Sequence, residues 1–154
     1  MANENLFPTD FDSDIGLIAS SDETITGYKK APYFDSTTGD FILDGSGTIL
    51  DADGVEAYTQ WCEAVVATDR YNHDAYSSDI GIDYNLIFSA KTHEEAETLL
   101  ESEISEALAV DPYHRTKYVK NVLCKWIGPE SINVTIEVLA LDNELVTIDT
   151  VIKL

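Results

Sequence analysis

The chain has 154 residues, with 9 lysines and arginines against 29 aspartates and glutamates, which gives a formal net charge of −20. This charge argues against binding to nucleic acid or to an anionic membrane surface, because both need clustered Lys and Arg. Hydrophobic residues make up 44% of the chain, which is ordinary for a globular protein and predicts one domain with a core.

Targeting signals and disulfides are not expected. No apolar run approaches the roughly 20 residues that a membrane helix needs, and residues 1–14 lack the basic start and apolar stretch of a secretory signal. Two cysteines, Cys62 and Cys124, do not make a disulfide framework. A cytosolic chain with buried free thiols is the better interpretation, while a disulfide between the two stays open.

The sequence predicts an extended acidic arm over residues 1–40 and a single domain over residues 41–154. The arm mixes Asp, Ser, Thr and Gly with scattered apolar residues, and its Phe7-Pro8 and Ala31-Pro32 pairs disfavour helix. The apolar residues are too many for a pure linker. We therefore expect the arm to dock on the domain or on a partner.

A tight hairpin is predicted next, with strands at residues 41–43 and 48–50 around an Asp-Gly-Ser-Gly turn. A helix follows, with Asp53 and Glu56 as a capping box, and is expected to end near Thr68 or Asp69. Residues 71–88 indicate loop and short strand, in which Gly81 marks a turn or a close approach of two backbones.

A second helix is predicted from the capping box of Thr92 and Glu95 to the Asp111-Pro112 pair. Its apolar face comprises Ala96, Leu99, Leu100, Ile104, Ala107 and Leu108. The glutamates expected mostly off that face are Glu94, Glu97, Glu101 and Glu103.

The C-terminal third predicts three strands. Residues 118–127 are apolar at many positions, residues 132–138 alternate apolar and polar, and residues 145–152 resume the apolar pattern. The element order predicts an α+β fold, with two helices packed on a small, mostly antiparallel sheet that ends in a β-meander.

The negative charge is unevenly distributed. Residues 1–110 carry a net −19, whereas residues 111–154 carry −1. Four bases fall where no acid lies between Asp111 and Glu130, and they are Arg115, Lys117, Lys120 and Lys125. This basic segment suits contact with an acidic neighbour. The alternative is a solvated surface whose acid excess only aids solubility.

No catalytic or metal site is predicted, and no cofactor. A calcium loop counted from Asp51 fails, because its twelfth residue is Cys62 instead of Glu. A zinc helix counted from His93 has Glu97 where the second His belongs. With 29 acids, a carboxylate pair at glycosidase spacing is expected by chance and carries almost no information.

Several motifs nevertheless resemble a known family. Residues 49–57 lead into Gln60-Trp61, then Thr68-Asp69-Arg70-Tyr71, then Tyr76-Ser77 and Gly81, then the Pro112 corner. This order over residues 41–154 resembles the small "lysozyme-like" baseplate wedge proteins, or sheath initiators, of contractile tails. The closer branch is that of Gram-positive myophages, defective prophages and R-type bacteriocins. Relatives often carry an acid-Pro-Arg corner, whereas here Arg115 is displaced by two residues.

The resemblance implies a structural role. A sheath initiator surrounds the tail tube at the baseplate in six copies, contacts larger wedge proteins and tube or hub components, and shares β-strands with the first ring of tail sheath protein. The particle would assemble in the bacterial cytoplasm. The strand residues proposed for this exchange are Ile132, Val134, Ile136, Val138, Leu145, Val146, Ile148 and Ile152. An ordinary closed core sheet is the alternative for them.

Two other functions stay open. A small acidic muramidase would turn over peptidoglycan through a tuned carboxyl pair, and a generic cytosolic adaptor would bind no tail component.

Overall fold

A computed structural model describes residues 27–72 and 76–153. Most of the predicted arm, residues 1–26, lies outside the described residues. Within the described part, the elements are β1 (Ala31–Pro32), β2 (Phe34–Asp35), β3 (Asp40–Phe41), β4 (Asp51–Ala52), α1 (Gly54–Ala67), α2 (Tyr84–Phe88), α3 (His93–Ala109), β5 (Thr116–Gly128), β6 (Ser131–Ala140), a 3₁₀ turn (Leu141–Asn143) and β7 (Leu145–Lys153).

The four short N-terminal strands form two antiparallel pairs, β1 with β4 and β2 with β3. The predicted hairpin is present between β3 and β4. The Asp44 N–H donates to the Thr48 carbonyl at 2.8 Å, and Leu43 bridges Ile49. Because β1 pairs with β4 and Phe34 of β2 pairs with Phe41 of β3, backbone pairing crosses the predicted boundary between arm and domain.

Helix α1 begins where the sequence predicts but without the predicted cap. The Asp53 side chain makes no capping hydrogen bond, so the capping box with Glu56 is wrong. Gly54 follows with φ of +56°, a left-handed conformation that glycine adopts readily. The helix ends at Ala67, with Thr68 as its C-cap.

The segment predicted as loop and strand contains a helix that the sequence pattern did not reveal. Helix α2 has only five residues, and the Asp83 carboxylate accepts a hydrogen bond from the Leu86 N–H. So short an element shows too little of the 3.6-residue period to be recognised.

Helix α3 confirms the Thr92 half of the second predicted capping box. The Thr92 hydroxyl accepts from the Glu95 N–H at 3.1 Å, whereas the Glu95 carboxylate accepts at 2.8 Å from the N–H of Lys91, one residue before the cap. One glutamate departs from the prediction. Glu103 lies on the packed side of the helix and is 7% exposed.

The C-terminal strands form the predicted meander, an antiparallel sheet in the order β5-β6-β7. Helix α3 packs against β5 and α1 against β7, so both helices cover one face. Residues alternate strictly between buried and less buried along β6, as a strand with one covered face requires. The predicted α+β fold with two packed helices and a small antiparallel sheet is confirmed.

Candidate assembly edge of the C-terminal sheet

Among the described residues, the three-stranded sheet has two open edges, one along β5 and one along β7, because β6 is paired on both sides. Open edges carry unpaired backbone amides and carbonyls that can accept another strand. The two edges of this sheet differ in regularity and charge.

The β5 edge is irregular and basic. Its pairing with β6 contains three register shifts, near Thr116, Val119 and Trp126. Three exposed lysines, Lys117, Lys120 and Lys125, lie along it. Bulges and lysines are the features by which natural sheets discourage edge-to-edge pairing.

The β7 edge is regular. Nine consecutive residues of β7 pair with β6 without any shift, from Leu145 to Lys153, and the strand contains no Gly or Pro. The Ala140 N–H donates to the Glu144 carbonyl at 2.8 Å. In an antiparallel ladder with this register, even-numbered β7 residues bond to β6 and odd-numbered ones turn their N–H and C=O to the open edge.

The residues predicted for strand exchange separate into two groups. Seven of the eight side chains are core residues, at most 5% exposed, whereas Leu145 is 44% exposed. The buried seven are Ile132, Val134, Ile136, Val138, Val146, Ile148 and Ile152. Strand addition uses backbone groups, and β6 has no edge to offer. Of the two predicted strands, only β7 can therefore accept a partner strand in this fold.

The four bases of the predicted basic segment do not all lie on one surface. Lys117, Lys120 and Lys125 are exposed, and Lys117 donates to the Asn143 side chain at 2.9 Å. Arg115 is 3% exposed and is not part of that surface. Its Nη2 lies 2.7 Å from Oδ1 of Asp111, which is also buried.

A cage of aromatic rings holds the Arg115 guanidinium. The guanidinium carbon lies 5.0, 5.2 and 5.1 Å from the ring centroids of Tyr58, Trp61 and Tyr113. Aromatic faces and a paired carboxylate together satisfy a buried cation. The corner at Pro112 therefore retains an acid–arginine pair, although the arginine is displaced by two residues.

The Arg70 motif residue fixes the loop that follows α1. Its Nε donates to the Gly81 carbonyl at 2.9 Å, and its Nη1 lies 3.3 Å from the Glu103 carboxylate. Glu103 also accepts from the Asp83 N–H at 3.0 Å. The burial of Glu103 thus has a cause that local spacing does not reveal, since its partner is far away in sequence.

Gly81 confirms the predicted close approach. Its φ is +97°, and a Cβ there would lie 2.6 Å from the Thr68 carbonyl oxygen. The contact belongs to a short parallel bridge, in which the Ile82 N–H donates to the Thr68 carbonyl and the Arg70 N–H donates to the Ile82 carbonyl.

The other motif residues lie at the surface near that bridge. Tyr71 is 66% and Tyr76 55% exposed, and the Ser77 hydroxyl donates to Asp79 at 3.2 Å. Pro112 is exposed beside Asp111. Tyr71, Tyr76 and Ser77 line a shallow cavity of about 270 Å³.

Metal-ligating clusters and reactive thiols are two kinds of site that the described residues can be searched for. No group of three or more His, Cys, Asp or Glu able to hold a metal occurs in residues 27–72 and 76–153. Cys62 and Cys124 are both free thiols, and burial raises the pKa of Cys62 to about 12. No described helix is long and apolar enough to cross a membrane.

Comparison with known proteins places these features in context. The family model of contractile injection system sheath initiators matches residues 31–143, a span from β1 to the turn before β7. No curated protein matches the chain.

Proposed function

Because the chain belongs to the sheath-initiator family of contractile injection systems, we propose that it is the baseplate subunit on which the first ring of tail sheath assembles. The family is structural, and its members are components of phage-tail-like particles. In this proposal a strand of the sheath protein pairs with the open edge of β7.

The regular β7 edge carries this proposal. Its odd-numbered residues turn N–H and C=O groups outward over the length of the strand, and these groups have no backbone partner within residues 27–72 and 76–153. An added strand would satisfy them, and main-chain hydrogen bonds supply affinity in this mode of recognition. Each such bond contributes a net of about 0.5–1.5 kcal/mol, so several in a row give a useful attachment.

The remaining surfaces supply further partners in the proposal. The exposed lysines Lys117, Lys120 and Lys125 of β5 face an acidic neighbour. Larger wedge proteins pack on the helices, and residues 1–40 tie the subunit to wedge or hub components. Six copies surround the tail tube, and the particle is a Gram-positive phage tail, a prophage remnant or a bacteriocin.

The proposal is tested by closing the β7 edge without unfolding the sheet. Thr147→Pro and Val151→Pro each remove an outward amide and leave the bonds to β6 in place. Thr147→Ala and Val151→Ala are the matched controls. Deleting residues 145–154 is a poorer test, because it also removes the core side chains of Val146, Ile148 and Ile152.

Electron microscopy of particles from producing cells measures the outcome. We expect both proline variants to give baseplates with tubes but little extended sheath, and both alanine variants to give normal sheath. Thermal unfolding of each purified variant checks the fold. Normal sheath on a folded proline variant would refute strand pairing at β7.

A further inference from the structure

We propose that the strand which pairs with β7 carries a lysine whose ammonium group binds Asp69, one of the residues that line a groove beside the open edge. This inference rests on the proposed function and adds the chemistry of the partner. It follows from the shape of the groove, from an unpaired buried oxygen and from the local charge.

The groove lies against the C-terminal half of β7. It has a volume of about 330 Å³ and is lined by Ala67, Asp69, Tyr84, Phe88 and the β7 residues 150–153. No residue of β6 lines it, so it extends outward from the open edge on the side that the helices cover. In strand addition, pockets beside the edge select alternate side chains of the added strand.

Asp69 supplies an unsatisfied acceptor. Its Oδ2 accepts from the Asn72 side chain, whereas its Oδ1 is buried and has no hydrogen-bond partner within the described part of the chain. Leaving a buried acceptor unpaired costs free energy, which a donor from the partner strand would recover on reaching it. Burial first, and then the negative charge of Asp69, raise the pKa of Tyr84 to about 12.

The groove suits a long cationic side chain. Phe88 is 49% exposed and the Tyr84 ring is partly buried, so both offer apolar surface to a methylene stem. Helix α1 ends at Ala67 in the lining and has no basic residue in its last turn, and a helix C-terminus favours a cation.

Lysine fits better than arginine. Arginine gains most from a carboxylate when it bonds to both oxygens, whereas the lysine ammonium is a point charge. Oδ2 of Asp69 already accepts from Asn72, so Oδ1 is the oxygen without a partner among the described residues. Lys153 also lines the groove, but it forms none of the ion pairs found among the described residues.

Synthetic strands test the lysine directly. The probes are nine-residue peptides of alternating Thr and Val, N-methylated along one edge to prevent self-association, with one lysine at each groove-facing position in turn. A matched set has norleucine in place of lysine. Binding to the full chain is measured by calorimetry for the wild type, for Asp69→Asn, and for Asp149→Asn, which makes the same charge change on the opposite face of β7.

We expect the best lysine peptide to bind the wild type about fivefold to tenfold more tightly than its norleucine partner, as one partly exposed charged hydrogen bond allows. The preference should disappear in Asp69→Asn and persist in Asp149→Asn. Equal binding of the two peptides by the wild type, or a preference that both variants lose, would overturn the lysine site. If the wild type shows no preference for lysine but the Lys153→Ala variant does, then Lys153 itself binds Asp69, and the proposed lysine site is also overturned.

Capture of the sheath protein encoded with this chain separates this inference from the proposed function. Loss of capture by Thr147→Pro with full capture by Asp69→Asn would leave strand pairing standing and refute the lysine site. Full capture by the folded Thr147→Pro variant would instead refute strand pairing itself. Reduced capture by Asp69→Asn, but not by Asp149→Asn, supports both.

Discussion

Replacing Gly81 with alanine tests whether the bridge between the α1 end and the α2 start stabilises the domain. The new Cβ would lie 2.6 Å from the Thr68 carbonyl oxygen, and Gly81 has φ of +97°. Left-handed backbone costs an L-residue about 1–2 kcal/mol, and forcing extra atoms into a packed site costs about 1–3 kcal/mol more. We therefore expect a loss of about 2–5 kcal/mol in the free energy of unfolding.

Two other glycines separate these contributions. Gly47 has φ of +85° and open space around its Cβ position, so Gly47→Ala measures the backbone cost alone. Gly128 has neither feature, since the nearest atom is 3.9 Å away, and Gly128→Ala is the control. Urea denaturation followed by tryptophan fluorescence gives each value. If Gly81→Ala is no less stable than Gly47→Ala, the close approach to Thr68 does not constrain the fold.

Three further predictions concern the ion pair, the buried thiol and the open edge. Asp111→Asn should lower the free energy of unfolding by about 3–5 kcal/mol, measured by urea denaturation, because it leaves the buried Arg115 cation without its partner. The double change Arg115→Met and Asp111→Leu should recover much of that loss. Stability should fall as pH rises from 9 towards 12. Burial raises the pKa of the Cys62 thiol from 9.0 to about 12, so this thiol ionises first in the unfolded chain. Thermal unfolding should show a smaller fall for Cys62→Ala. High salt should promote self-association, because the screening length drops to about 3 Å at 1 M, and light scattering should show less association for Thr147→Pro.

The sequence predicted most reliably what depends on a local period. Strand β6 alternates in sequence and alternates in burial, because one covered face imposes that period. The Thr92 cap of α3 was also predictable, because its partner lies three residues away. Gly81 was predictable as a close approach, although the partner Thr68 was not.

What the sequence could not predict depends on distant partners. Glu103 reads as one more solvated glutamate on an acidic helix, and only its contact with Arg70 explains its burial. Arg115 reads as a surface base, although its spacing of four from Asp111 was a signal for the ion pair. Strand β6 was grouped with β7 as a candidate edge, although the predicted meander already places its second strand in the middle of the sheet.

The contrast between the two sheet edges gives the net charge a specific consequence. An open, regular edge such as β7 normally invites pairing between copies, and β7 has neither the bulges nor the row of lysines that β5 has. The chain carries a net charge of −20, and two copies meeting edge to edge would bring like charges together. Repulsion can thus discourage self-pairing while the edge stays open. A partner strand with a lysine at Asp69 would feel the opposite force, so the same charge would favour that partner over a second copy.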